Sequence, residues 1–214
     1  MTPPDRTDRN LIRELLAARD GSSIPILRRP DAAARPEPSP LDGLATDSRH
    51  LFEAWKEWRG TALLPRRSAM DLVAISRLMP RLVVIDVHAP DHAVFRLAGT
   101  EIEEQYGQRL TGRSYVKMVA LERQQRRGEL LWRVAQQPCG ALQYVSISWA
   151  SGRQRDLEFF GLPMLPDREG EPVQILGVVS RLPAPVWGRT DSVTGIRGLT
   201  LHFIDIGAGI PAAL

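Results

Sequence analysis

The chain contains little of the material from which the best-known kinds of protein site are built. It has a single cysteine, Cys139, so neither an internal disulfide nor a thiolate metal cage can form. Only four of its 214 residues are histidines. No apolar run approaches the ~18 to 20 residues that span a bilayer, and the N-terminus lacks the apolar core of a signal peptide. We therefore expect a cytoplasmic globular protein that does not insert into a membrane.

Lysine is also scarce, because arginine supplies nearly all of the positive charge. The formal net charge is only +3, although the isoelectric point is about 9.5. The densest basic clusters are Arg66–Arg67 and Arg123–Arg127, and Glu122 and Glu129 flank the second. A nucleic-acid surface would show a basic stripe with interleaved aromatic residues. We interpret these clusters as solvated helix faces and expect no nucleic-acid partner.

Composition divides the chain into three parts. Residues 1–45 carry many prolines and few core-forming residues, which predicts a disordered N-terminal tail. Residues 46–182 show helix and strand patterns and form the expected domain. Residues 183–214 form a C-terminal extension that we expect to be irregular, although Leu199–Ile206 has the pattern of a terminal strand.

Two amphipathic helices are predicted at the start of the domain. The first covers Thr46–Arg59, where Asp47 or Ser48 can cap the start. The second lies between Ser68 and Met79, and Pro80 ends it. The apolar stripe of the first helix consists of Leu51, Phe52, Trp55 and Trp58. This stripe must be covered by the sheet of the same chain or by a second copy, and we expect a homodimer through this helix.

The segment FRLAGTEIEEQYGQRLTGRSY, from Phe95 to Tyr115, is the most informative part of the chain. It begins as a strand with alternating residues and breaks at Gly99. Thr100 and Glu103 match a capping box, and Gly107 is a typical helix stop, so a short helix is predicted. A hairpin precedes it, a long helix over Leu121–Gln137 follows it, and three strands close the domain.

This segment, with LPRRSAMDLVAISRLMPRLVVIDV before it and LEFFGLPML after it, resembles the PAS_5 family, a divergent bacterial branch of the PAS-domain superfamily. The resemblance covers Leu51–Leu182. The order of elements and the resemblance both imply an α+β fold, with a PAS-like five-stranded antiparallel sheet and helices on one face, preceded by the two amphipathic helices. The resemblance also implies a stand-alone sensory or interaction module that signals through contacts with an unknown partner protein.

The cofactors that PAS domains carry require particular residues at particular positions. A photoactive flavin domain needs a cysteine on its short helix, whereas Cys139 follows the long helix. Haem needs an axial histidine, and Leu121–Gln137 contains none. His88 and His92 flank the predicted hairpin turn, but no further clear ligands accompany them. We therefore predict no cofactor and no metal.

Catalytic motifs are missing as well. The chain has no GxSxG, GxxxxGK[ST], HExxH or CxxC sequence. The carboxylates of Asp156 with Glu158, and of Glu103 with Glu104, are more typical of exposed strand and helix charges than of an acid/base pair. We predict no catalytic residues, and an enzyme of unknown class is the third choice after a ligand sensor and a ligand-free scaffold.

Aromatic residues provide the candidate ligand pocket. In a PAS-like fold they would surround the space between sheet and helices, where a small ligand binds or an ordinary core packs. A guanidinium beside the cleft could receive a carboxylate or phosphate, or could simply form a surface ion pair. The candidate pocket residues are Tyr106, Arg113, Tyr115, Trp132, Tyr144 and Phe159.

Overall fold

A six-stranded antiparallel sheet forms the centre of the computed structural model, which describes residues 39–181 and 193–211. The α-helices are α1 (Thr46–Arg59), α2 (Thr100–Tyr106) and α3 (Leu121–Gln136). The strands are β1 (Leu82–Ala89), β2 (His92–Ala98), β3 (Gly140–Trp149), β4 (Gln154–Met164), β5 (Val173–Ser180) and β6 (Val193–Ile204). Their order in the sheet is β2-β1-β5-β4-β3-β6.

The predicted α+β fold is confirmed, with one strand more than the five expected. β6 pairs antiparallel with β3 along almost its whole length, from Gly140 opposite Ile204 to Trp149 opposite Val193. The strand suggested at Leu199 therefore begins six residues earlier. It extends the sheet beyond β3 and creates an edge strand in which half of the residues are exposed.

Helix α1 covers one face of the sheet. Leu51 and Trp55 are fully buried there among residues of β3, β4 and β5, and the Trp55 indole Nε1 donates to the Pro163 carbonyl at 3.0 Å. Phe52 and Trp58 are half-buried at the margin of the same cluster. The dimer face predicted for Leu51 and Trp55 therefore needs correction, because the chain's own sheet already covers these two residues.

The start of α1 is held differently from the predicted cap. No side chain of the helix caps it. The buried Glu158 carboxylate accepts from Ala45 N at 3.0 Å, while Ser48 Oγ and Ser180 Oγ lie 3.1 Å apart. Asp47 instead forms an ion pair with Arg81. A carboxylate from the sheet thus does the work of an N-cap, since it satisfies an amide at the helix start.

The second predicted helix is wrong. Residues 67–81 form two short 3₁₀ segments, Arg67–Ala69 and Ser76–Arg81, separated by turns. Asp71 Oδ1 accepts from Val73 N at 2.8 Å, a local bond that competes with helix formation. Leu72 is 49% exposed whereas Ile75 is fully buried, so the predicted apolar spacing does not form one continuous buried face.

Helices α2 and α3 cover the other face of the sheet, over a second core that includes Ile85, Phe95 and Leu131. The predicted short helix is confirmed, and it ends at Gly107, which has a left-handed φ of 62°. The capping box is wrong, because no side chain caps α2 and Glu103 Oε1 accepts from Leu110 N at 2.8 Å instead. Glu103 thereby fixes the loop after the helix.

The predicted domain boundaries fall partly beyond the described residues. The tail predicted for 1–45 and the extension predicted for 183–214 include residues 1–38, 183–192 and 212–214, which lie outside the described part of the chain, as does residue 182 at the end of the predicted domain. Within the described part, Leu44 is buried in the core beneath α1, and the extension contributes β6. The packed domain therefore uses residues on both sides of the predicted limits.

Candidate functional site

A small cavity lies between the sheet and helix α2, and we call it the inner cavity. Its volume is about 70 Å³. Ile102, Gln105 and Tyr106 of α2 line it on one side, and Gln143 and Val145 of β3 on another. It is further lined by Val83, Phe95, Leu110, Tyr115, Arg127, Ile147, Leu157, Phe159, Val179 and Ile196. The lining is mainly apolar with a few amide, hydroxyl and guanidinium groups, which is the usual make-up of a small-molecule site.

Two glycines allow Phe159 to lie along the floor of the inner cavity. A Cβ atom at Gly177 would come within 2.7 Å of the Phe159 ring, and one at Gly161 within 3.1 Å. Real Cβ contacts are not as short as 2.7 Å, so a side chain at Gly177 would displace the Phe159 ring. The glycines of β4 and β5 thus leave room for the Phe159 ring where it lines the cavity.

Tyr115 and Arg127 contact each other at the site in two ways. The Arg127 guanidinium carbon lies 3.7 Å from the centroid of the Tyr115 ring, and Arg127 Nε donates to the Tyr115 carbonyl at 3.1 Å. The Tyr115 ring also meets the Phe95 ring edge to face, with centroids 5.3 Å apart. These contacts hold a cation over an aromatic face at the boundary of the inner cavity.

Tyr106 adds a phenol to this boundary. Burial raises the pKa of the Tyr106 hydroxyl, and the nearby Arg127 guanidinium lowers that pKa by a smaller amount. The hydroxyl is therefore neutral at physiological pH and can both donate and accept a hydrogen bond. Gln143 offers a further amide, and its side chain has no hydrogen bond within the described residues.

A larger groove adjoins the inner cavity between α3 and the β3–β6 edge. Its volume is about 430 Å³. The two spaces share the lining residues Tyr115, Arg127, Gln143, Val145 and Ile196. The inner cavity alone holds only a few water molecules, whereas the groove reaches the ~300 to 1,000 Å³ of typical ligand pockets. A small ligand would therefore occupy mainly the groove.

Three of the six predicted pocket residues line the inner cavity, namely Tyr106, Tyr115 and Phe159. The other three do not. Tyr144 points to the α1 face, because it stands between Gln143 and Val145 on a strand whose side chains alternate. Trp132 packs at the margin of the core beneath α3, and Arg113 is exposed in the loop after α2. Alternation along β3 was the signal that would have excluded Tyr144.

The tertiary structure also brings to the site residues that the sequence pattern does not indicate. Arg127 was assigned to a solvated helix face, yet it contacts Tyr115 from within the groove. Gln105, Gln143 and Ile196 come from three separate elements. Ile196 belongs to β6, and the predicted terminal strand begins only at Leu199. Arg123, Arg127 and Leu130 follow helical spacing, and this spacing indicates that they share one side of α3.

The candidate acid/base carboxylates of β4 and α2 do not share a cleft. Glu158 is fully buried on the α1 face and lies 3.7 Å from the exposed Arg181, while its strand neighbour Asp156 is exposed. Burial raises the pKa of Tyr144, and the adjacent Glu158 carboxylate raises it further. Glu103 binds Leu110 N. Glu158 and Glu103 therefore act as structural hydrogen-bond acceptors for backbone amides.

The two histidines at the hairpin lie together as expected. Their rings are stacked with centroids 4.5 Å apart, and Pro90 and Asp91 form the turn between them. Among residues 39–181 and 193–211, no cluster of three or more histidine, cysteine or acidic side chains is positioned to hold a metal ion. Within the same ranges, no helix combines the length and apolar character needed to cross a membrane.

The sheet, the helices α2 and α3 across one face, and the cavity between them define the class of PAS-like α+β domains. The family model PAS_5, described as a PAS domain, matches residues 45–180. Because this match covers more than half of the chain, the protein belongs to the PAS_5 family of PAS domains. No curated protein and no solved structure matches the chain. The family membership supports a sensory or interaction module, and β6 lies outside the matched residues.

Proposed function

We propose that the protein is a non-catalytic cytoplasmic sensor that binds a small ligand between the sheet and helices α2 and α3, and that it signals through contacts with another protein. The observation that carries this proposal is the inner cavity, which opens into a groove of ligand size. Apolar walls with Tyr106, Gln143 and Arg127 at one boundary provide both burial and orientation for a ligand.

A chain of ion pairs gives the ligand site a connection to the opposite face of the sheet. Glu101 of α2 binds Arg81 Nε at 2.7 Å, and Arg81 Nη1 binds Asp47 of α1 at 2.9 Å. Ile102, the neighbour of Glu101, lines the inner cavity. A ligand that shifts α2 would therefore change the restraint on the first turn of α1. Such a ligand acts by favouring one of two arrangements of the helices.

The partner surface is proposed at α1. Phe52 and Trp58 are half-buried at its outer margin and offer apolar contact area to another protein or to a second copy. Homodimerisation through α1 stays a proposal that rests on these two residues, since Leu51 and Trp55 are internal. Light scattering of the Trp58→Glu variant tests it, because loss of a parent dimer would support α1 as the interface, and a parent monomer would refute the dimer.

A thermal-shift screen against a metabolite collection tests the ligand site. A ligand that binds only the folded state raises the melting temperature. Val145 lines both the inner cavity and the groove, so Val145→Trp should fill the site and abolish the shift. Val73→Trp is the matched control, because Val73 is 82% exposed and distant in sequence from the site. Shifts that survive Val145→Trp would refute binding at this site.

The connection through Arg81 has its own test. Hydrogen exchange of the first turn of α1 is measured with and without a ligand found in the screen. We expect the ligand to change exchange there in the parent protein, and Arg81→Gln to remove that change while binding persists. The rival function is a ligand-free scaffold that binds its partners constitutively. A screen without any shift, together with partner binding that no metabolite alters, would favour the scaffold.

A further inference from the structure

Four arginines surround the groove between α3 and β6, which we call the arginine groove. Arg123, Arg126 and Arg127 come from α3 and Arg197 comes from β6. The remaining lining consists of Tyr115, Val119, Leu130, Gln143, Val145, Ile196, Gly198, Leu199, Thr200 and Leu201. No carboxylate belongs to the lining that the described residues form. Glu122 and Glu129 flank the cluster in sequence, yet both lie outside the groove.

Two of these arginines are fixed by contacts with the protein. Arg123 Nη1 donates to the Ile196 carbonyl at 2.7 Å and so links α3 to β6. Arg127 is held by the Tyr115 ring and carbonyl. Each guanidinium has five N–H groups, so each keeps donors for a ligand. Preorganised guanidinium groups bind planar anionic groups well, because less side-chain entropy is lost on binding.

The other two arginines carry charge without a counter-ion. Arg126 and Arg197 are exposed, and neither forms a salt bridge with any described residue. Four like charges around one concave surface raise the local positive potential, and this potential attracts anions. The composition of the groove therefore favours an anionic ligand group over a neutral or cationic one.

Apolar side chains lie beside the cations. Leu130, Val145, Ile196 and Leu201 line the same groove, and its inner end adjoins the inner cavity. A fully hydrated inorganic anion would leave this apolar surface uncovered. An anion with an apolar part would bury it and place its charged group among the arginines.

We propose that the arginine groove and the inner cavity bind a small organic anion with an apolar part. The carboxylate, sulfonate or phosphate group lies among the four arginines, and the apolar part points toward Val145 and the inner cavity. This inference rests on the proposed ligand site and names its ligand class. One wall of the groove is formed by β6. This strand lies outside residues 45–180, the part of the chain that matches the family model.

The test compares two dyes with the same aromatic skeleton. 1-Anilinonaphthalene-8-sulfonate is an apolar anion, and N-phenyl-1-naphthylamine lacks the sulfonate. Both become fluorescent in apolar sites. We expect the sulfonate to bind at one site per chain and about tenfold or more tighter than the neutral dye, since hydrogen bonds to charged groups are the stronger ones. Salt should weaken only the binding of the sulfonate.

Variants locate the site. Arg126→Ala with Arg197→Ala removes two cations that make no salt bridge in the described structure, so the fold should persist. We expect sulfonate binding to weaken about tenfold or more and neutral-dye binding to change little. Arg77→Ala with Arg168→Ala is the matched control, because both side chains are exposed and lie outside the groove. It removes equal charge and should leave binding unchanged.

Competition separates the possible anionic groups. Decanoate, decyl phosphate and inorganic phosphate are each titrated against the bound sulfonate dye. Displacement by decanoate or decyl phosphate, with weak displacement by inorganic phosphate, supports an organic anion and identifies the preferred group. Displacement by inorganic phosphate alone would overturn the apolar part of the inference. Binding of the dye-free protein to phosphatidylglycerol vesicles, without binding of the soluble anions, would also overturn it.

The two proposals fail in different ways. Equal binding of both dyes, or unchanged sulfonate binding in the Arg126→Ala and Arg197→Ala variant, would overturn the anion inference and leave the ligand site intact. If Val145→Trp changes the binding of neither dye, the ligand site itself is refuted. If neither dye binds the parent protein, the anion inference is overturned as well.

Discussion

Trp55 and Trp58 provide a direct test of how α1 packs, because they lie three residues apart on the same helix. Trp55 is fully buried and its indole donates to the Pro163 carbonyl, whereas Trp58 is half-buried at the margin of the core. Each is replaced separately by alanine. We expect Trp55→Ala to be strongly destabilising and Trp58→Ala to be mild, although both changes remove the same side chain from the same element.

The expected magnitude follows from buried area. A tryptophan buries about 150 to 250 Å². At roughly 25 cal/mol per Å², full burial of Trp55 contributes about 4 to 6 kcal/mol, and measured Trp→Ala changes of about 3 to 5 kcal/mol agree with this. The truncation also leaves the Pro163 carbonyl without its indole donor. Trp58 should lose about 1 to 2 kcal/mol, because only part of its surface is covered.

Urea unfolding followed by far-ultraviolet circular dichroism measures both effects without relying on tryptophan fluorescence. With a slope of about 2 kcal/mol per molar urea, Trp55→Ala should lower the midpoint by about 2 M and Trp58→Ala by less than about 1 M. Glu at both positions should unfold the protein, because it buries a charge at Trp55. Equal losses at the two sites, or a stable folded Trp55→Glu variant, would refute the internal packing of α1.

Four further predictions follow from single groups and from composition. Gly128→Ala should destabilise the protein although alanine favours helices, because a Cβ atom there would overlap the Pro90 carbonyl oxygen. Gly43→Ala, where the added atom meets nothing within 4 Å, is its control. Burial raises the pKa of the Cys139 thiol from 9.0 to about 12, so Ellman's reagent should react with the unfolded chain and spare the folded one. Trypsin should remove the N-terminal tail up to Arg28, the last arginine before Thr46 that is not followed by proline, and the purified protein should be colourless.

The Cys139 shift also sets a pH dependence. Above pH 9 the unfolded chain loses the thiol proton while the folded chain keeps it, so the unfolded state binds fewer protons and stability falls as pH rises toward 12. Cys139→Ala should show a shallower fall over this window. An equal slope in both proteins would contradict the shift. Unchanged stability of Gly128→Ala, protection of Arg28 from trypsin, or a stoichiometric visible absorption band would contradict the other three predictions.

Local patterns were enough to predict most elements of this fold. Helical spacing and alternation identified α1, α2, α3 and the strands of the domain, since side-chain periodicity follows directly from backbone geometry. Gly107 was correctly predicted as a helix stop, because a left-handed residue there favours glycine. The prediction of a second amphipathic helix is wrong for a local reason too, because the Asp71 carboxylate accepts a hydrogen bond from Val73 N.

Contacts between distant residues decided the rest. Glu158 replaces the expected cap of α1 from 113 residues away, and Glu103 leaves its capping position to bind Leu110 N. No spacing rule could place Arg197 of β6 in the same groove as Arg126 of α3, because β6 forms a wall of that groove only when it pairs with β3. The sequence by itself determined the elements and the fold class. The tertiary structure alone decided which side of the sheet each residue faces, and therefore which arginines surround the groove.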